Sequence, residues 1–162
     1  MVGKKLFFIK SLLKSDKFKD EVSFDKFLNC YSKDKLSEFI NSTIHNERTN
    51  EKNLSMILFK INWLNDGGDF KDEAMKRVFD TVRMEVREFD IIAKWDENSF
   101  VLILPECSYE SAGKIGLLIK SIVESKKFLS FKISLDYGIT EHKENDTHES
   151  FFERANENLV EA

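Results

Sequence analysis

Proline, glycine and cysteine are scarce in this sequence. One proline and six glycines among 162 residues exclude the composition of a flexible linker or a disordered chain. The two cysteines, Cys30 and Cys107, are far apart and fit no metal-ligand spacing. They predict free thiols in a reducing compartment, and so a cytoplasmic protein.

Long apolar runs are absent as well. No run approaches the roughly 20 residues that a membrane span needs, and the N-terminus lacks the pattern of a secretory signal. The formal net charge of −4 gives no reason to expect nucleic-acid binding. His45, His142 and His148 lie on polar segments without a cysteine or paired carboxylate at ligand spacing. We therefore expect no metal and no cofactor at the histidines.

The residues that are present suit one globular domain with an extension. Apolar residues make up 41% of the chain, with 15 phenylalanines, which is enough for one core. Residues 1–24 contain six lysines against three acids, a net charge of +3, which leaves −7 for the remainder. Residues 5–15 carry apolar residues at helical spacing between lysines. We predict a basic amphipathic helix in an extension, residues 1–24, before a domain at 25–162. This helix packs on the domain, contacts a partner or lies on anionic lipid.

Hydrophobic periodicity predicts a defined order of elements after a first helix that Ser32 caps. The order β-α-β-β-α-β is that of the ferredoxin-like α+β fold, here a palm-type antiparallel sheet with flanking helices. The predicted elements are strand Leu54–Leu64, helix Phe70–Phe89, strands Ile91–Trp95 and Phe100–Leu104, helix Tyr109–Phe128, strand Leu129–Thr140 and helix Thr147–Val160. On the second long helix, Ile115, Leu118, Ile119 and Ile122 are predicted to face inward.

A polar turn between two apolar strands is the most informative local feature. Asp96, Glu97, Asn98 and Ser99 separate the two short strands, and Pro105 ends the second strand. So short a polar connection predicts a β-hairpin with its polar tip at an exposed corner.

The hairpin and its flanks resemble the GGDEF family of diguanylate cyclase domains, over about residues 25–162. Arg87 and Asp90 match the RxxD of the family. Five residues later, the segment from Asp96 to Phe100 reads DENSF where the family has its signature, and Leu104 and Pro105 follow in place. Further matches are Asp25, Tyr31 and Leu36 in the opening pattern, Ser134 and Gly138 in the late strand, and Arg154-Ala155-Asn156 in the last helix.

The resemblance also implies that cyclase activity is lost. The family joins two GTP molecules into cyclic di-GMP across a dimer, with two divalent ions held by carboxylates. Here Asp96 and Glu97 replace the signature glycines, and the neutral Asn98 and Ser99 replace its acidic pair. On the first strand, Lys60 and Asn62 occupy the positions of the two family aspartates. Neutral and cationic groups are poor Mg²⁺ ligands, so we expect no metal site.

Two residues near the signature carry further hypotheses. The resemblance makes Asp72 a remnant of the family's guanine contact, although the loop before it is shorter than in the family. Lys60 either pairs with Glu97 or Asp96 where a metal would sit, or is a solvated lysine.

Arg87 and Asp90 are the candidate ligand-binding residues, although the catalytic residues of the family are replaced. In the family, RxxD is the inhibitory site for cyclic di-GMP, and an arginine fork can take a guanine edge or a phosphate. The alternative is a surface ion pair that closes a helix. The supporting arginine of the family aligns near Leu118, with Lys120 two residues further on. The chain is therefore predicted to be a regulatory domain that senses cyclic di-GMP, or a protein-interaction or dimerisation module that binds no nucleotide.

Two polar segments are predicted to be ordinary loops. Gly67 to Phe70 resembles a fragment of the family signature, but it precedes a helix, so we interpret it as a turn with Asp69 as N-cap. Asp146 belongs to a group of acids between the last strand and the last helix, and we predict that these acids are solvated.

Overall fold

The computed structural model describes residues 24–25, 27–28, 30–46 and 53–159. The helix predicted over residues 5–15 lies outside these ranges. The described strands are β1 (Phe24–Asp25), β2 (Cys30–Tyr31), β3 (Leu54–Trp63), β4 (Ile91–Asp96), β5 (Ser99–Pro105) and β6 (Ile133–Glu141). The described helices are α1 (Lys33–Asn46), α2 (Lys71–Glu85), α3 (Tyr109–Glu124) and α4 (His148–Glu157). None of these helices is long and apolar enough to cross a bilayer.

The six strands form one sheet in the order β1-β2-β4-β5-β3-β6. The four long strands are antiparallel, and with α2 and α3 they confirm the predicted β-α-β-β-α-β order. The short β1–β2 hairpin was not predicted. It extends the sheet at the β4 edge, where Tyr31 pairs in parallel with Ala93, so that the described sheet is mixed.

Helices cover both faces of the sheet. Ile57 and Phe59 of β3 join the apolar core under α2 and α3. Met56 and Leu58 face the opposite core, which α1 and α4 cover. A strand that is buried on both faces has no polar alternation, which explains why the middle of β3 is continuously apolar.

Helix α2 ends four residues before the predicted boundary. Val86 is extended, at φ −101 and ψ 158. The backbone N–H of Arg87 donates to Oδ2 of Asp90 at 2.8 Å, and the N–H of Asp90 donates to the carbonyl of Arg87 at 3.0 Å. An aspartate that captures a nearby backbone N–H favours a turn over a helix. Arg87 and Asp90 therefore lie in a turn, and the predicted continuation of the helix to Phe89 was wrong.

For the helix ends and the inward face of α3, one prediction is confirmed and two are corrected. Ser32 accepts from the Lys35 N–H at 3.3 Å, which confirms its capping role. The cap of α2 is Phe70, without a side-chain hydrogen bond, so the prediction of Asp69 was wrong. On α3, Ile119 is buried as predicted, but Leu118 is 48% exposed.

Gly138 lets α4 approach the sheet closely. A Cβ atom on this residue would lie 1.9 Å from the carbonyl oxygen of Ala155, far inside contact distance. Ala155 is itself fully buried. The glycine of the late strand is therefore required by packing against the backbone of the last helix.

Candidate functional site

The predicted hairpin is present, with the two-residue turn Glu97–Asn98 at its tip. Asp96 pairs with Ser99, and a bulge at Trp95 shifts the register just before the turn. Neither turn residue has a positive φ. Turns of that kind do not match the twist of two strands by themselves, and the bulge supplies the added twist.

Asn98 is fixed by internal hydrogen bonds. Its backbone N–H donates to Oδ1 of Asp96 at 2.8 Å, and its carbonyl accepts from the Ile61 N–H at 2.6 Å. Its side-chain Oδ1 accepts from the indole N–H of Trp63 at 2.9 Å. The side-chain oxygen of Asn98, which is predicted to replace a carboxylate of the family signature, thus already accepts from an indole N–H.

Lys60 and Asn62 of β3, which the resemblance predicts to be former metal positions, have different surroundings. The amide of Asn62 donates to Oδ2 of Asp136 at 2.9 Å and to Oγ of Ser134 at 3.4 Å. Lys60 is exposed and lies in register between Ser99 and Asp136. No ion pair joins Lys60 to Asp96 or Glu97 among the described residues, so of the two alternatives for Lys60 the structure favours the solvated lysine.

A cavity of about 410 Å³ lies beside the hairpin tip. It brings Asp72 of α2 together with Glu97 and Asn98 of the tip, and Lys71 and Lys94 also line it. The lining is of mixed charge, because Asp25 contributes a further carboxylate, one oxygen of which accepts from the Leu28 N–H at 2.9 Å. Across the described part of the chain, no group of three or more His, Cys, Asp or Glu residues is arranged to hold a metal ion.

Arg87 and Asp90 form a two-point ion pair behind the hairpin. Nη2 of Arg87 donates to Oδ1 of Asp90 at 2.9 Å, and Nε donates to Oδ2 at 3.3 Å. Nη2 also donates to the carbonyl of Pro105 at 2.7 Å. The hydrogen bonds that Arg87 donates to Asp90 outweigh partial burial and raise the pKa of Arg87 above its ordinary value. The guanidinium therefore links the turn after α2 to the end of β5.

The two members of this pair differ in exposure. The Asp90 side chain is 1% exposed and that of Arg87 is 48% exposed. Both carboxylate oxygens of Asp90 already accept from Arg87, whereas Nη1 of Arg87 donates to no protein acceptor in the described part. Arg87 can meet a ligand directly, and Asp90 holds the guanidinium in place.

Lys120 binds groups of its own chain and does not contact the Arg87–Asp90 pair. Its Nζ donates to Oε1 of Glu124 at 2.7 Å and to the carbonyl of Leu135 at 2.6 Å. Leu118, which is predicted to align near the family's supporting arginine, is an exposed apolar residue.

A second arginine–aspartate cluster was missed from the sequence. Asp146 is 8% exposed, so the prediction of a solvated acid was wrong. Its carboxylate accepts from both terminal nitrogens of Arg154, from Oγ of Ser150 at 3.0 Å and from the Lys143 N–H at 2.7 Å. Burial alone would raise the pKa of Asp146, but these hydrogen bonds outweigh it and lower the pKa below its ordinary value. The sequence signal that was available is the capping pattern of Thr147 and Ser150, which indicates that a helix begins directly after Asp146.

The antiparallel core, the hairpin tip and the cavity beside it define a palm-type α+β domain. The model of the family described as "Diguanylate cyclase, GGDEF domain" matches residues 22–162, and the chain belongs to this family. A search of curated protein sequences finds no match.

Solved structures confirm the fold at low sequence identity. The GGDEF domain of FimX from Pseudomonas aeruginosa is 14% identical, with a TM-score of 0.74, over 84% of this chain and 90% of that one. SiaD from the same species, crystallised with its activator SiaC, is 17% identical, with a TM-score of 0.75, over 97% of this chain and 65% of that one. The GGDEF domain of DgcB from Caulobacter crescentus, in complex with c-di-GMP, is 15% identical, with a TM-score of 0.71, over 83% of this chain and 84% of that one.

Proposed function

We propose that this chain is a regulatory GGDEF domain that does not synthesise cyclic di-GMP. The observation that carries the proposal is the internal hydrogen bonding of two side chains, one at a former metal position and one in the degenerate signature. The amide of Asn62 donates to Asp136, and the side-chain oxygen of Asn98 accepts from Trp63. Divalent ions in phosphoryl transfer need anionic oxygens that are free to coordinate them. An amide locked in this way and the ammonium of Lys60 do not provide such oxygens.

The replaced glycines support the same proposal. Asp96 and Glu97 are both exposed at the tip, and Glu97 lines the cavity. They place two carboxylates where a triphosphate would approach. Without a metal ion between them, like charges repel, and this raises the free energy of binding GTP.

Incubation with GTP and either Mg²⁺ or Mn²⁺, followed by chromatography, tests the proposed loss of activity. We expect no cyclic di-GMP from the wild-type chain. A Lys60→Ala variant is the matched control, because product that depends on Lys60 would assign that lysine a part in catalysis. Any product that increases with wild-type protein concentration would overturn the proposal.

The regulatory ligand that fits the site is cyclic di-GMP, bound through Arg87 with Asp90 as its positioning residue. The half-exposed guanidinium is planar and is held from behind by Asp90, so less side-chain freedom remains to be lost on binding. Its Nη1 edge can donate to a guanine edge or to a phosphate. Asp72, at the separate cavity, remains a predicted guanine contact.

Calorimetry with cyclic di-GMP tests this assignment. We expect heat of binding from the wild-type chain and its loss in Arg87→Ala. The control is Arg77→Ala, because Arg77 is an exposed arginine of α2 that pairs only loosely with Glu73, at 3.7 Å. Arg77→Ala should bind as the wild type does. No heat from the wild-type chain at high micromolar ligand rejects sensing.

The second candidate is a protein-interaction or dimerisation module, and one observation favours it. Leu117 and Leu118 are adjacent on α3 and are 57% and 48% exposed. Two neighbouring leucines in water are a common feature of contact surfaces. Light scattering on the wild-type chain and on Leu117→Ser/Leu118→Ser tests the homodimer version, which requires a wild-type dimer that the variant weakens.

A chain truncated before residue 25 tests whether the basic extension contacts a partner.

A further inference from the structure

Strand β6 is an end strand of the described sheet, and half of its backbone groups point away from it. The Leu64 N–H donates to the Lys132 carbonyl at 2.9 Å, and the His142 N–H donates to the Leu54 carbonyl at 2.7 Å. These two bonds show that the even-numbered residues face β3. Because backbone direction alternates in an antiparallel pair, the odd-numbered residues direct their N–H and C=O groups outward. An outward row of this kind is a template on which another strand can pair.

Two side chains of α3 occupy this edge at Leu135. Nζ of Lys120 donates to the Leu135 carbonyl at 2.6 Å, and the Leu135 N–H donates to Oε1 of Glu124 at 3.0 Å. Lys120 and Glu124 also pair with each other at 2.7 Å. One donor and one acceptor thus meet the same residue, as a neighbouring strand would meet it.

Side chains from α4 and its C-terminal end cover more of the same edge. Nδ2 of Asn158 donates to the Ile139 carbonyl at 2.8 Å. Nη2 of Arg154 donates to the Glu141 carbonyl at 2.8 Å. With Leu135, three outward carbonyls of β6 are therefore bound by side chains.

We infer that Lys120 and Glu124 close the β6 edge against strand pairing with a second copy of this chain. A second copy presents the same edge, and antiparallel pairing of two β6 strands has the twofold symmetry of a closed dimer. Such a pairing would need the Leu135 N–H and C=O groups, which the side-chain pair holds. This role concerns the sheet edge and is independent of the proposed ligand site.

Helix α3 contains a matched pair that does not perform this role. Glu110 and Lys114 have the same i,i+4 spacing, but they are 3.8 Å apart and their side chains are 85% and 80% exposed. Lys120 and Glu124 are only 20% and 31% exposed, because they lie against β6. Replacing either pair removes one positive and one negative charge, so the net charge does not change.

The test compares Lys120→Met/Glu124→Met with Glu110→Met/Lys114→Met. Light scattering over a wide concentration range should show association in the first variant beyond that of the wild type, and no added association in the second. Amide exchange followed by NMR, in protein dilute enough to keep the first variant monomeric, should show the Leu135 N–H exchanging about tenfold faster than in the wild type, as the loss of one hydrogen bond implies.

Equal masses for the two double variants, or an unchanged exchange rate at Leu135, would overturn the inference. Circular dichroism establishes that each variant is folded. Should the first variant fail to fold, Glu124→Gln keeps an acceptor for the Leu135 N–H but removes the charge that holds Lys120. This variant should associate more than the wild type, and an unchanged mass would again overturn the inference.

Discussion

Arg154 and Arg87 each contact an aspartate with two nitrogen atoms, but the rest of each guanidinium meets different surroundings. Arg154 also donates to Oγ1 of Thr140 at 3.1 Å and to the Glu141 carbonyl at 2.8 Å, and its side chain is 25% exposed. Beyond Asp90, Arg87 donates to the Pro105 carbonyl, and its side chain is 48% exposed.

The carboxylates do not explain this difference. The Asp146 side chain is 6% exposed and that of Asp90 is 1% exposed, so both are nearly sealed from water. What differs is the arginine, which has acceptors on several sides in one case and an open edge in the other. The exposure of the guanidinium therefore separates a pair that holds the fold together from a pair that can also meet a ligand.

Removal of Arg154 should have the largest effect on stability. In Arg154→Ala, Asp146 stays buried and loses two donors, and two further acceptors lose one each. Breaking a buried pair in this way costs about 3–5 kcal/mol of unfolding free energy. Urea denaturation measures it, with Arg77→Ala as the exposed control at less than about 0.5 kcal/mol. A cost for Arg154→Ala no larger than that of the control would mean that the cluster is not structural.

The periodic parts of the fold were predictable from the sequence, and the irregular ends were not. Leu54 to Leu64 and the β4–β5 hairpin follow from apolar runs and a polar turn, and the structure confirms them. The end of α2 carried no proline or glycine to mark it. It is set by the Asp90 side chain, which captures the Arg87 N–H, and this competition depends on tertiary packing around the carboxylate.

The positions of the candidate site residues could be predicted from the sequence, but most of their side-chain contacts could not. The spacing of RxxD to the hairpin identified Arg87 and Asp90 as a pair, and the structure brings them together. Of the two alternatives for Lys60, the ion pair is not formed, because Lys60 lies opposite Ser99 and Asp136 in the register, not opposite Asp96 or Glu97. Asp146 was missed because its partner is eight residues away, beyond a helix start.

Arg87→Ala should destabilise the chain less than Arg154→Ala, by about 1–3 kcal/mol. The substitution removes two side-chain donors from Asp90 and one from the Pro105 carbonyl. The carboxylate keeps the Arg87 backbone N–H, at 2.8 Å, which an alanine also provides. The same urea series measures the effect. A cost equal to or above that of Arg154→Ala would place Arg87 among the structural arginines.

The Asp146 cluster should also give the stability a dependence on acidic pH. In the folded chain the pKa of Asp146 lies below its ordinary value of 3.8, so the folded state favours the ionised carboxylate. The contribution is complete above the unfolded pKa and is lost as pH falls through the folded pKa. The stability difference between wild type and Asp146→Asn should be constant down to about pH 5 and shrink below it. Urea midpoints at several pH values measure this, and a difference that persists at the lowest pH would contradict it.

Added salt should produce the smallest of these effects, a difference in how much stability the Arg87 pair and the Arg154 pair lose. At 1 M salt the screening length is about 3 Å, and screening acts mainly on charges in contact with water. The half-exposed Arg87 should therefore lose a few tenths of a kcal/mol of its contribution, whereas the more enclosed Arg154 should lose less. The measurement is the cost of each alanine variant in urea at low and high salt, each against wild type in the same buffer. Equal salt sensitivity of the two costs would show that the open edge of Arg87 is less accessible to ions than its exposure implies, and it would weaken the case for a ligand there.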